Sequence, residues 1–246
     1  MSVEHGEYLF GNTLLRYEIE RAKRRTVSVC VDAGQGVVVK APADMSPDAI
    51  RDIMARKAAW VVQRLAEYRE LDSAVPPREF VGGESHWFNG RQYRLRIDEA
   101  PGARRASVEL DGAFLCAHLP AKVPLDARAE AVRAALEGWY REQASGRIEE
   151  RVRLYAPRLG VPAPRVRIRD QEKRWGSCAA SDGEIRFNWR LVMAPLPLVD
   201  YVVAHELCHL KQADHSAEFW NLLGTVLPDH EERRERLRVE GTRYRL

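Results

Sequence analysis

Tyr201 to Trp220 reads YVVAHELCHLKQADHSAEFW, and the spacing of its histidines decides how the rest of the chain is understood. His205 and His209 bracket Glu206-Leu207-Cys208. On a helix, residues four apart share a face with Cβ atoms roughly 5–6 Å apart, so both imidazoles can meet one ion. A catalytic zinc takes three protein ligands at roughly 2.0–2.1 Å and keeps a fourth position for water, which calls for one more ligand. His215 follows six residues after His209, past a predicted helix end at Lys211 to Asp214 where the chain can turn back. Glu206 projects beside the histidine face, where a carboxylate can take a proton from activated water and return it to a leaving group. Val202, Val203, Leu207 and Leu210 give the helix an apolar surround suited to a rigid, dry site. These residues predict a zinc-dependent hydrolase with His205, His209 and His215 as ligands and Glu206 as general base. Imidazole ligands also accept manganese or nickel.

Other ligand candidates lie downstream. Glu218, Glu231 and Glu232 are alternatives to His215, although the run DHEERRERLRVE reads better as a solvated helix face of paired charges. His230 reads as decoration at a helix start. His5, His86 and His118 have no partner at ligand spacing. A structural zinc would be closed by four protein ligands and would leave Glu206 without a role.

Working outward, the helix bearing the histidines should begin near Pro197, after an Ala-Pro-Leu-Pro breaker. Before it, RVRIRDQEKRWGSCAASDGEIRFNWRL reads as strands turning at Ser181-Asp182-Gly183, and Leu125 to Gly160 as one long helix. The first half is richer in strands. LLRYEIE, TVSVCV and VVVKAP read as a small β-meander with a turn at DAGQG, followed by an amphipathic helix capped by Ser46 with Pro47 at its first position. That helix should end at the VPPR breaker, Val75 to Arg78. Hairpins are then expected at Asn89-Gly90 and Asp111-Gly112. The fold class expected is α+β: a β-rich region with one helix over residues 1–124, then a compact zincin-like catalytic domain over 125–246. No internal repeat is visible in the sequence.

Composition narrows the function classes. Across 246 residues, 39 basic and 36 acidic side chains leave a net charge of +3, too balanced to mark a nucleic-acid binder. The densest basic run, RAKRR at Arg21 to Arg25, reads as a solvated guard on a strand end. Cys30, Cys116, Cys178 and Cys208 form no CxxC pair, consistent with reduced thiols. The opening MSVEHGEYLFGN lacks a secretory pattern and no run of apolar residues is long enough to span a bilayer, so a soluble, cytoplasmic protein without membrane partners is expected.

RWGSC at Arg174 to Cys178, FNWRL at Phe187 to Leu191, YVVAHELCHL and HSAEFW together resemble the YgjP-like metallopeptidases. The likeness is specific over residues 165–220. It implies a zincin fold related to the SprT-like and WLM proteases, with the same three histidines as ligands and Glu206 as the catalytic residue. The histidine spacing equals that of metzincins, but Gln212 stands where they carry glycine, so the turn must be built differently. RWGSC reads as an edge strand able to pair with an extended peptide, and Arg174 and Ser177 as residues able to hold an anion. Trp175 and Trp189 read as core aromatics. Peptide hydrolysis is the leading expectation. A nucleoside triphosphate pyrophosphatase acting on UTP is the alternative that the resemblance suggests, and a nucleic-acid-associated module the third. Oligomeric state is not readable.

Overall fold

A computed structural model of the chain describes residues 4–22, 24–32, 36–73, 77–171 and 174–246. It is a mixed α+β protein, with five α-helices and three small sheets among the described residues. The chain divides into two compact units, 1–75 and 76–246.

The first unit holds β1 (Glu4–Phe10), β2 (Thr13–Ala22), β3 (Ser28–Asp32), β4 (Gly36–Pro42) and α1 (Pro47–Ser73). Its sheet runs β1-β2-β4-β3, with β2 parallel to β4. The expected meander is therefore corrected: β3 lies at the edge and β4 in the middle. The apolar content explains the order, because Val37, Val38 and Val39 are buried while Val29 and Val31 are only half-buried, and the most apolar strand gains most by lying centrally. β1 was not among the expected strands. The Ser46 cap forms as the sequence implies, its Oγ accepting from Ala49 N at 3.2 Å. Along α1, Ile50, Met54, Ala58 and Val61 are fully buried at helical spacing, whereas Trp60 is exposed. Residues 33–35 of the DAGQG turn and residues 75 and 76 of the VPPR breaker lie outside the described residues.

The second unit opens with β5 (Ser85–Phe88), β6 (Arg91–Ala100), β7 (Ser107–Asp111) and β8 (Phe114–Pro120), in the order β5-β6-β8-β7 with β6 parallel to β8. Both expected hairpins form. This strand order and pairing repeat those of the first sheet, and each sheet is followed by a long helix. A structural repeat is thus present where the sequence displays none, because pairing depends on backbone and burial pattern more than on residue identity. α2 (Arg128–Leu159) buries Val132, Leu136, Tyr140, Ala144, Ile148 and Val152 in one stripe and ends at Gly160, whose φ of 62° is the left-handed C-cap. The sequence reading divides the chain at residue 125, whereas the compact units divide at residue 75. Leu95, Leu115, Ala117 and Leu119 of the second sheet share one core with α2 and the helices after it.

Next come β9 (Arg165–Arg169), β10 (Gly176–Ala179) and β11 (Glu184–Asn188), ordered β10-β11-β9, then α3 (Leu196–Cys208), α4 (Ala217–Val226) and α5 (His230–Glu240). No helix of the described residues is long and apolar enough to cross a membrane.

Candidate metal centre

The start of α3 is set by a turn from another sheet. Asn89 and Gly90 join β5 to β6 with φ of 50° and 75°, the left-handed pair of a type I′ turn. Their N–H groups donate to Val192 O at 3.0 Å and Met193 O at 2.9 Å, just before the helix begins. A Cβ at Gly90 would lie 2.6 Å from Pro195 Cβ, so only glycine permits this approach. One turn into α3, Asp200 accepts from Arg151 of α2, Nε to Oδ1 at 2.5 Å and Nη2 to Oδ2 at 3.1 Å. The helix is held at its N-terminal end before the histidines are reached.

His205 and His209 then project from one face, and the chain turns tightly, with Lys211 N and Gln212 N both donating to Cys208 O. Lys211 Nζ reaches across to cap the end of α2 at Leu159 O, 2.7 Å away. Gln212 supplies a carbonyl, which accepts from His209 Nδ1 at 3.0 Å. That bond puts the proton of a neutral ring on Nδ1 and leaves Nε2 as a free lone pair. His215 returns to the cluster: its Nε2 lies 3.0 Å from His205 Nε2, and one nitrogen from each of the three rings falls within 4.8 Å of the others. Tetrahedral zinc bonds would separate ligand nitrogens by about 3.3 Å, so the donor set fits such an ion. Two ring nitrogens as close as those of His205 and His215 also need a proton or a cation between them. Glu218, Glu231 and Glu232 are exposed and belong to no such cluster among the described residues.

Burial tunes the titratable groups. It drives His205 down to about 3, with the charges of His209, His215, Arg234 and His230 acting the same way. His209 is also lowered by burial, opposed by its bond to Gln212. Burial pushes Glu206 up to about 8, opposed by Arg174. His205 and His209 are thus held in the neutral form that binds metals, and the Glu206 carboxyl is poised to hold or release a proton near neutral pH.

β10 runs beside Glu206. Among the described residues it pairs with β11 on one side only, as the edge strand expected of RWGSC. Gly176 of this strand abuts the Glu206 side chain. Arg174 is exposed and electrostatically coupled to Glu206, while the Ser177 hydroxyl accepts from Gln171 Nε2 at 3.3 Å.

A family model for the YgjP-like metallopeptidase domain matches residues 25–240. The chain belongs to this family. The crystal structure of the metallopeptidase zymogen of Pyrococcus abyssi abylysin is similar over 37% of this chain and 90% of that one, at 26% identity and a TM-score of 0.35. No curated protein matches the chain. Membership makes this a metal-dependent peptidase at the family level.

In this YgjP-like protein, several residues that the motif reading did not single out shape the centre. Phe219, fully buried in α4, lies 4.9, 4.7 and 4.8 Å from the rings of His205, His209 and His215 and forms an apolar support under all three. Trp220 stacks on His215 at 5.5 Å and on His230, also at 5.5 Å. His230 does open α5, but it is half-buried against that indole and is more than surface decoration. Asn188, at the end of β11, donates to Gln171 O at 2.7 Å and Arg174 O at 3.3 Å and anchors the approach to RWGSC. The aromatic pair in HSAEFW was the available signal for the support. No local signal marked Asn188. Trp189 is fully buried, and Trp175 is half-buried near Tyr244.

Proposed function

We propose that this protein is a zinc-dependent peptidase of the cytoplasm, with His205, His209 and His215 holding the ion and Glu206 transferring protons. The observation that carries this reading is the convergence of three imidazole nitrogens beside a buried carboxyl and an open strand edge. Zinc bound there would polarise the substrate carbonyl and acidify water. Glu206 takes a proton from the attacking water and delivers it to the nitrogen of the breaking C–N bond, giving a carboxylic acid and an amine. Its elevated pKa suits both transfers, and the nearby charge of Arg174 favours the ionised form that starts the cycle. An extended peptide adds to β10 by backbone pairing, which orients the carbonyl without requiring a particular side-chain sequence. The four cysteines are free thiols, in keeping with a reducing compartment.

The test is hydrolysis of an unfolded protein and of UTP, side by side, by zinc-loaded wild type and Glu206→Gln. Peptide cleavage lost in the variant, with zinc still bound, is the expected result. Cleavage of UTP alone would replace the peptidase reading by a pyrophosphatase.

A further inference from the structure

α5 carries four arginines, and three have fixed partners. Arg233 pairs with Asp229 at 2.9 Å and donates to Pro197 O, Arg236 pairs with Glu240 at 2.7 Å, and Arg238 pairs with Glu235 at 2.8 Å. Arg234 has no carboxylate or hydrogen-bond acceptor among the described residues. Its guanidinium instead lies over the Trp220 indole, Cζ 5.1 Å from the ring centroid. That indole is the one stacked on His215, and it is 6.1 Å from His205. Arg234 is exposed, one aromatic ring away from two of the three candidate ligands.

We infer that Arg234 is a specificity-determining residue, its guanidinium holding a carboxylate of the peptide substrate beside the histidine cluster. The inference rests on the peptidase reading above. A guanidinium lying on an aromatic face keeps its N–H donors free at the edge, and a planar fork of donors matches a carboxylate in two parallel bonds. The side chain already rests against the indole, so less rotational freedom is lost on binding than for an unsupported arginine. The buried Glu206 would repel an acidic substrate once ionised, and Arg234 offsets that repulsion on the α5 side.

The carboxylate can come from an internal Asp or Glu side chain or from a free C-terminus. A matched set of fluorogenic peptides separates these sources: internal Glu against Gln, and free C-terminal acid against amide, each cleaved by zinc-loaded wild type, Arg234→Gln and Arg234→Glu. Affinities for the same peptides are measured on Glu206→Gln and on the Glu206→Gln/Arg234→Gln double variant, so that binding is read without turnover. Wild type is expected to favour one acidic form over its neutral counterpart by about tenfold, the preference disappearing in Arg234→Gln and reversing in Arg234→Glu. The pair that shows the preference identifies the source. Equal handling of acidic and neutral peptides by wild type, or a preference that survives Arg234→Gln, overturns the inference and leaves the peptidase reading standing. If neutral and acidic peptides alike resist cleavage, the peptidase reading fails and this inference falls with it.

Discussion

Gly176 of β10 packs directly against the Glu206 side chain of α3: a Cβ on Gly176 would lie 2.7 Å from Glu206 Cγ and 2.8 Å from its Oε1. Both positions are therefore coupled, although thirty residues separate them. Gly176→Ala must displace either the strand or the carboxyl. Because a displacement of about 1 Å in a reacting group can cost roughly a hundredfold in rate, kcat for peptide hydrolysis should fall by about that factor. If the three histidines hold the ion as proposed, zinc affinity should change by less than about threefold. Steady-state kinetics combined with a zinc titration check both; a variant with unchanged kcat would show that the contact does not position Glu206.

Metal should stabilise the fold as well as serve catalysis. The three histidines come from α3 and from the turn leading to α4, so an ion bound by all three ties those segments together. At a free zinc concentration about a thousand times the Kd, linkage gives about 4 kcal/mol of added stability. Thermal unfolding with zinc and with EDTA should show a large rise in Tm for wild type. His215→Ala should lose most of that rise. If His215→Ala keeps the full zinc-dependent shift, His215 is not a ligand.

How much of this was legible in the sequence depended on how local the deciding interaction is. The His205, Glu206 and His209 arrangement follows from helix geometry alone, Ser46 announces itself by the side-chain acceptor it brings to a helix start, and Gly160 and the Asn89-Gly90 turn do so through the backbone angles they must adopt. Pairings between distant segments left no such mark. The parallel β2–β4 pairing depends on which strand buries more, and a run of consecutive strands offered no means to weigh it. Asn188 bonds to backbone carbonyls 14 and 17 residues away, and any residue type could have supplied those carbonyls. Arg234 looked like part of a charged helix face because the other three arginines of α5 pair with carboxylates on the same helix or at its start.

His86 supplies an acid-sensitive element in the second unit. It is buried on β5, and burial, helped by the charge of Arg78, lowers it to about 4 from 6.5, with Glu84 opposing. The folded state therefore holds the ring neutral where the unfolded chain would protonate it. Stability from this group is fully present above pH 6.5 and is lost as pH falls toward 4, by on the order of 3 kcal/mol. Denaturation at pH 7.5 and 4.5 should show that loss in wild type beyond whatever His86→Phe shows. Identical pH dependence in the two proteins would assign the acid sensitivity elsewhere.

Asp200 links three helices at the base of α3: Arg151 of α2 bonds both its oxygens, and Arg233 of α5 approaches Oδ2 at 4.0 Å. All three side chains are largely sheltered from solvent, so removing the carboxylate leaves guanidinium groups short of a partner. Breaking a buried pair this way costs roughly 3 kcal/mol. Asp200→Ala should thus lower stability by about that amount, while Asp200→Asn, which keeps one acceptor, should lose about half. The hydrophobic face of α3 stays intact in both, so the zinc affinity of the folded protein should be nearly unchanged while the fraction folded at elevated temperature drops. Urea denaturation and a zinc titration at low temperature separate the two effects. A large loss of zinc affinity in the folded Asp200→Asn protein would mean that Asp200 orients the histidines directly, and the base of the helix would then belong to the metal centre as much as to the core.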